Sequence, residues 1–208
     1  MLCYTFIPAG VSSWTMYSCT YNVPSDGKVR FLLSSNSQSA NDWTRFDNAA
    51  LYVIPNLLVD PSWSSGSLTS PWGVAGTTTA ASIIGGGYNG DAYELSETST
   101  SGSFNVVVYQ DVPSQPAGHT FTASVYAQSS TTASGNSGNG YIGVQDGSGS
   151  TPQLCPVVGT IPAGVSSWTQ YSCTGIVPSD GTLRFLLSSN SESANDWTLF
   201  DSPSLVVF

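Results

Sequence analysis

The chain has 208 residues, 8% of them charged and 12% aromatic, with a formal net charge of −9. Lys28, Arg30, Arg45 and Arg184 are the only basic side chains, too few to displace counterions from phosphates, which argues against a nucleic-acid partner. No apolar run approaches the length of a membrane span, and the scarcity of Lys and Glu beside Val, Thr, Tyr, Phe and Trp favours strands over helices.

Met1 leads into a strand-like segment without a basic leader; either the mature chain starts here after processing or, since the sequence opens in the middle of a repeat, it is a cut from a longer array, the favoured expectation. Period-two patterning predicts strands over Trp14–Val23, Val29–Ser35 and Ala50–Ile54. The stretch Ile7–Asp47 then returns almost unchanged as Ile161–Asp201, at a constant offset of 154 residues that holds from Ile7 to Ile54. Residues 55–154 have no second copy. The chain therefore divides into a partial repeat, 1–54, and a complete unit, 55–208.

Within the complete unit, strands are predicted over Ala92–Ser96, Ser103–Asp111, His119–Ser129, Gly140–Gln145, Trp168–Ile176, Leu183–Ser189 and Ser204–Phe208. Phe121, Ala123, Val125 and Ala127 share one face of their run, and Thr122, Ser124, Tyr126 and Gln128 the other. Leu183, Phe185 and Leu187 alternate in the same way with Arg184, Leu186 and Ser188. Gly- and Pro-containing breaks separate these runs. The pattern predicts an all-β fold, a β-sandwich or jelly roll, with an N-terminal three-strand fragment that repeats the C-terminal third.

Such a fragment exposes one apolar face that it cannot cover alone. Either residues 55–154 complete it in permuted order, or the same segment of a neighbouring chain does. Residues 1–54 and 155–208 are then competing donors for one acceptor. Exchange between chains predicts a homo-oligomer or fibre through residues 1–54.

The four cysteines fall as two pairs, Cys3/Cys19 and Cys155/Cys173, one in each copy. Local disulfides are expected, hence an oxidising, extracellular setting, each worth about 3 kcal/mol in the chain-entropy model. Buried free thiols are the alternative. Zinc is disfavoured by the lack of CxxC and by a single histidine, His119.

The complete unit carries NLLVDPSWSSG at 56–66, with Trp72 soon after. YQDVPSQPAGHTFTASVYAQSS follows at 109–130, and the unit closes with NDWTLFDSPSLVV at 195–207. This resembles the jelly-roll carbohydrate-binding modules of the cellulose- and xylan-binding type. The resemblance implies a galactose-binding-like β-sandwich over about residues 56–208 and a polysaccharide or glycan as partner. It also implies a structural calcium ion near the closing Asp201, although Ser64 stands where the pattern has a glutamate. Asp60 is the candidate replacement ligand, and no other cofactor is expected.

Sugar binding asks for aromatic faces that stack on pyranose rings beside planar groups that hydrogen-bond hydroxyls. Tyr126 and Gln128 meet this on the polar face of their strand, and Tyr126 matches the strand aromatic of the modules. Tyr109 and Tyr141 are further candidates, and Trp72 is a possible stacking platform, while Trp63 reads as core. Trp14/Trp168 and Trp43/Trp197 read as packing anchors. Arg184, which recurs as Arg30, serves either an ion pair or a bidentate contact to sugar hydroxyls. Evidence for an enzyme is thin: Asp91 and Glu94 sit three apart with nothing marking a cleft, and there is no GxSxG or phosphate loop. Two readings stand: a non-catalytic, secreted carbohydrate-binding sandwich, and a structural subunit of an extracellular fibre or surface assembly built by strand exchange.

Overall fold

A computed structural model describes residues 5–19, 29–35, 43–51, 54–77, 80–88, 93–98, 104–130, 140–147, 153–155, 159–191 and 196–208. The chain divides into two compact units, Met1–Val53 and Ile54–Phe208.

Ile54–Phe208 is an all-β unit. Its strands are β1 (Gly73–Gly76), β2 (Ala81–Gly85), β3 (Tyr93–Thr98), β4 (Phe104–Val112), β5 (Thr120–Ser129), β6 (Gly140–Asp146), β7 (Gly159–Ile161), β8 (Thr169–Ile176), β9 (Leu183–Ser191) and β10 (Trp197–Val207). They form two five-stranded antiparallel sheets, β1-β4-β9-β6-β7 and β2-β3-β10-β5-β8. β5 buries Phe121, Ala123, Val125 and Ala127 in the same core cluster as Phe185 and Leu187 of β9, as the alternation predicts. Each such large side chain contributes roughly 1.5–3 kcal/mol of transfer free energy.

β10 is twice as long as expected, because a bulge between Asp201 and Ser204 breaks the period that the sequence pattern shows. Ser202 has a positive φ of 48° there, and Pro203 occupies the position where a ladder donor is not needed. Asn56 stitches the start of the unit to this bulge. Its side-chain nitrogen donates to the Pro203 carbonyl at 2.9 Å, and its oxygen accepts from the Leu205 N–H at 3.0 Å. The sequence reading missed β1, β2 and β7, which are short and carry too few alternations to register.

Cys155 and Cys173 form a disulfide that ties the segment after β6 to β8. Cys19 is disulfide-bonded as well, and Cys3 lies outside the described residues.

In Met1–Val53 the structure departs from expectation. No strand is formed among its described residues, although Val29–Ser35 repeats β9 almost letter for letter. Trp14, Phe31, Leu32 and Trp43 are exposed. The physical reason is that a strand is defined by its neighbours: without paired ladders on either side, an extended segment has nowhere to place its N–H and C=O groups except water.

Candidate functional site

The outer face of the β1-β4-β9-β6-β7 sheet collects three of the candidate residues. Arg184 on β9 sits in register between Asp111 of β4 and Gln145 of β6. Its Nε donates to Asp111 Oδ1 at 2.6 Å and a terminal nitrogen donates to Oδ2 at 2.8 Å, a bidentate pair at a partly exposed position. The Asp111 hydrogen bond raises the Arg184 pKa above its ordinary value, against a smaller lowering by burial. The guanidinium also lies 4.6 Å from the centroid of the Tyr109 ring, a cation–π distance.

Tyr109 pairs with Leu186, which pairs in turn with Gly143. Its ring lies across Gly73, where a Cβ would stand only 2.5 Å from the ring. Leu186 forms an almost fully buried floor beneath this row. Tyr141 enters one row further along, opposite Ser188, two strand spacings (about 10 Å) from the Tyr109 strand. The Gln153 side-chain oxygen lies over Gly143, and the Gln153 backbone pairs with that of Gln145 in an isolated β-bridge. Two tyrosines, one guanidinium–carboxylate pair and two amides thus share one surface.

Tyr126 and Gln128 lie on the outer side of the other sheet, away from that group. Tyr88 stacks on Tyr126 with centroids 3.7 Å apart and planes 13° from parallel, and Trp168 meets Tyr88 edge-on at 6.4 Å. With its amide turned to satisfy both donors, Gln128 accepts from the backbone and indole N–H groups of Trp168 at 3.2 and 3.3 Å. Here the aromatic faces are largely spent on one another.

Trp72 corrects the expectation of a stacking platform. It is buried, packed against Trp63 at 5.8 Å and edge-on to Phe185 at 6.3 Å, and its indole N–H donates to the Val59 carbonyl at 3.0 Å. A ring this size in the opening loop is more useful as a plug for the end of the core than as an exposed face.

The two expected calcium ligands, Asp60 and Asp201, are both engaged within the protein. Asp60 Oδ1 accepts from the N–H and hydroxyl of Ser64 at 2.7 and 2.8 Å. Asp201 is buried and accepts from the backbone N–H groups of Tyr88 and Ser202. Both carboxylates hold backbone. Among the described residues no group of three or more His, Cys, Asp or Glu side chains is placed to hold a metal ion.

Asp91 and the side chain of Glu94 lie outside the described residues. Sequence reasoning missed Asp111, Gln145, Gln153 and Tyr88. Asp111 was findable, since the lone cation of residues 55–208 needed an acid and Asp111 ends a predicted strand. It also missed Glu97, a fully buried carboxyl with no hydrogen-bond partner for either oxygen among the described residues. Burial pushes its pKa well above the ordinary value.

No protein-family model matches the chain, and no curated protein matches it. Solved structures do. A carbohydrate-binding module, TmCBM61, solved in complex with β-1,4-galactotriose, superposes with a TM-score of 0.57 at 21% identity, over 74% of this chain and 99% of that one. The enzymatically active domain of tailspike protein 4 from bacteriophage CBA120 gives 0.55 at 12% identity, over 74% of this chain and 21% of that one. A putative sugar-binding protein from Bacteroides thetaiotaomicron gives 0.50 at 7% identity, over 74% of this chain and 100% of that one. With its two antiparallel sheets, Ile54–Phe208 has a β-sandwich fold like that of these carbohydrate-binding modules.

Proposed function

We propose that Ile54–Phe208 is a non-catalytic carbohydrate-binding sandwich that works outside the cell. The observation that carries this reading is the shared surface of Tyr109, Tyr141 and the Arg184–Asp111 pair. Aromatic rings lie there beside fixed planar donors and acceptors, the combination that recognises sugar rings and their hydroxyls. The Arg–Asp pair holds both partners in position before a ligand arrives, which lowers the ordering cost of binding. The fold of TmCBM61 and the buried disulfide support the reading, the latter because disulfides persist in oxidising compartments.

Affinity electrophoresis against a panel of soluble polysaccharides is the direct test. Tyr109→Ala and Arg184→Ala each abolish retention, and Tyr126→Ala leaves it unchanged. Retention by no polysaccharide would remove the reading, and loss in Tyr126→Ala alone would move the site to the opposite sheet.

A second reading, a structural subunit of an extracellular assembly linked by strand exchange through residues 1–54, is favoured by one observation. Phe31, Leu32, Leu33 and Leu51 stand exposed where their equivalents are buried. Filaments with a regular axial repeat under negative stain would support it, and dispersed particles at high concentration would remove it.

A further inference from the structure

Two segments of this chain are built to close the sandwich, and only one does so. Residues 159–207 supply β7 to β10. Residues 7–53 carry the same interior side chains: Ile161, Cys173, Phe185, Leu187, Thr198 and Phe200 have as counterparts Ile7, Cys19, Phe31, Leu33, Thr44 and Phe46. Where the interior differs at Leu183 and Pro203, the N-terminal copy has the smaller Val29 and Ala49. These replacements leave room rather than demand it.

One difference runs the other way. Gly175 of β8, in register with its β5 neighbour Phe121, has Tyr21 as its counterpart. A Cβ on Gly175 would stand 2.5 Å from Phe121 Cζ and 2.8 Å from Cε1, and would run into the carbonyl oxygen of Leu154. Phe121 is among the largest fully buried side chains, so its ring cannot swing into solvent to make way. A phenol at that place requires β5 or the chain at Leu154 to move.

Connectivity is not the obstacle. The Leu57 N–H donates to the Leu205 carbonyl at 2.8 Å, so the start of the unit lies beside the end of β10. A chain running from Leu51, the counterpart of Leu205, to Leu57 has up to roughly 20 Å of reach, ample for a tight reversal.

We propose that Gly175 selects the C-terminal copy as the closing segment, and that Tyr21 bars the N-terminal copy from the same seat. The selection is steric and rests on one position. It applies equally between identical chains, which all present Phe121, and so it stands against the exchange between identical chains of the second reading. Residues 7–54 accordingly fit an acceptor sheet with a smaller residue in place of Phe121.

Hydrogen exchange with mass spectrometry on the full chain tests this, because peptides from 29–35 and 183–191 differ in mass. In the parent chain the 183–191 amides exchange at least 100-fold more slowly than those of 29–35. In the double variant Tyr21→Gly/Gly175→Tyr that protection transfers to 29–35. In Tyr21→Gly alone, which leaves the closed unit intact, the copies share the seat and both peptides are protected in part. Protection that stays on 183–191 in a folded double variant overturns the proposal. So does a Tyr21→Gly chain in which 29–35 exchanges as fast as in the parent. Should the double variant fail to fold, the single variant decides.

Discussion

Asn48 and Ser202 stand 154 residues apart and adopt the same left-handed backbone, with φ of 50° and 48°. Gly10 and Gly164 agree equally well, at 83° and 80°. Thr15 donates to the Ser13 carbonyl at 3.3 Å and Thr169 to that of Ser167 at 3.1 Å. Even the contact between segments recurs: the Ser35–Thr44 hydroxyl pair at 3.1 Å matches Ser189–Thr198 at 3.0 Å, which in the complete unit joins the two sheets. Yet Phe31 is 49% exposed where Phe185 is 0%, and Leu51 is 53% exposed where Leu205 is 0%.

The two copies separate what a segment does for itself from what its neighbours do for it. Turns and side-chain bonds to nearby backbone need only the residues that make them, so they appear twice. Strand pairing and burial need partners. β9 has them in β4 and β6, and β10 in β3 and β5. The described residues of the N-terminal copy repeat the local turns of the closing segment but form no strand.

The sharpest way to break this comparison is to truncate the same side chain in both copies. Phe185→Ala should cost about 3–5 kcal/mol of unfolding free energy in denaturant titration. Phe31→Ala should stay within about 0.5 kcal/mol. Equal costs would mean that residues 1–53 bury a core of their own.

A smaller effect comes from a carboxyl that faces Thr198 across the sheet of the complete unit. Glu97 lies directly opposite Thr198 on β3. The only cation in Ile54–Phe208, Arg184, is bound to Asp111, and burial raises the Glu97 pKa well above its ordinary 4.5. The folded state therefore keeps a proton that the unfolded chain releases. That stabilisation is complete below about pH 4.5 and is lost as pH rises toward the folded value, at roughly one kcal/mol per pH unit. Glu97→Gln should flatten this limb of the stability curve and raise stability at pH 7. An unchanged slope in the variant would place the linkage elsewhere.

The smallest effect separates the two arginines. Arg184→Ala should cost no more than about 1 kcal/mol of stability, as a partly exposed ion pair does, while removing polysaccharide binding. Arg30→Ala should change neither. Loss of binding in Arg30→Ala would bring the N-terminal copy into the site.

Much of the fold was legible. Alternation in His119–Ser129 and Leu183–Ser189 gave β5 and β9 with the correct faces, since each is long enough to show a period of two. β1, β2 and β7 were not legible, being too short, and the bulge at Asp201 hid the first half of β10. Of the candidate site, Tyr109 and Tyr141 were named as strand aromatics, and Arg184 as the lone cation of its unit, placed opposite the Leu/Phe face of its strand. That they share a surface, and that Tyr126 and Gln128 belong to another, followed only from strand order. Trp72 was misjudged because an aromatic in a loop reads the same whether it plugs a core or faces water.

The sequence by itself determined which residues could be strands, where the chain turns, and that one third of a sandwich is written twice. Those properties depend on period, turn chemistry and identity, all local. Only the tertiary structure decided which copy becomes sheet, because pairing and burial depend on the shape left open by other strands. At Gly175 that shape admits no side chain, so two nearly identical texts meet different fates.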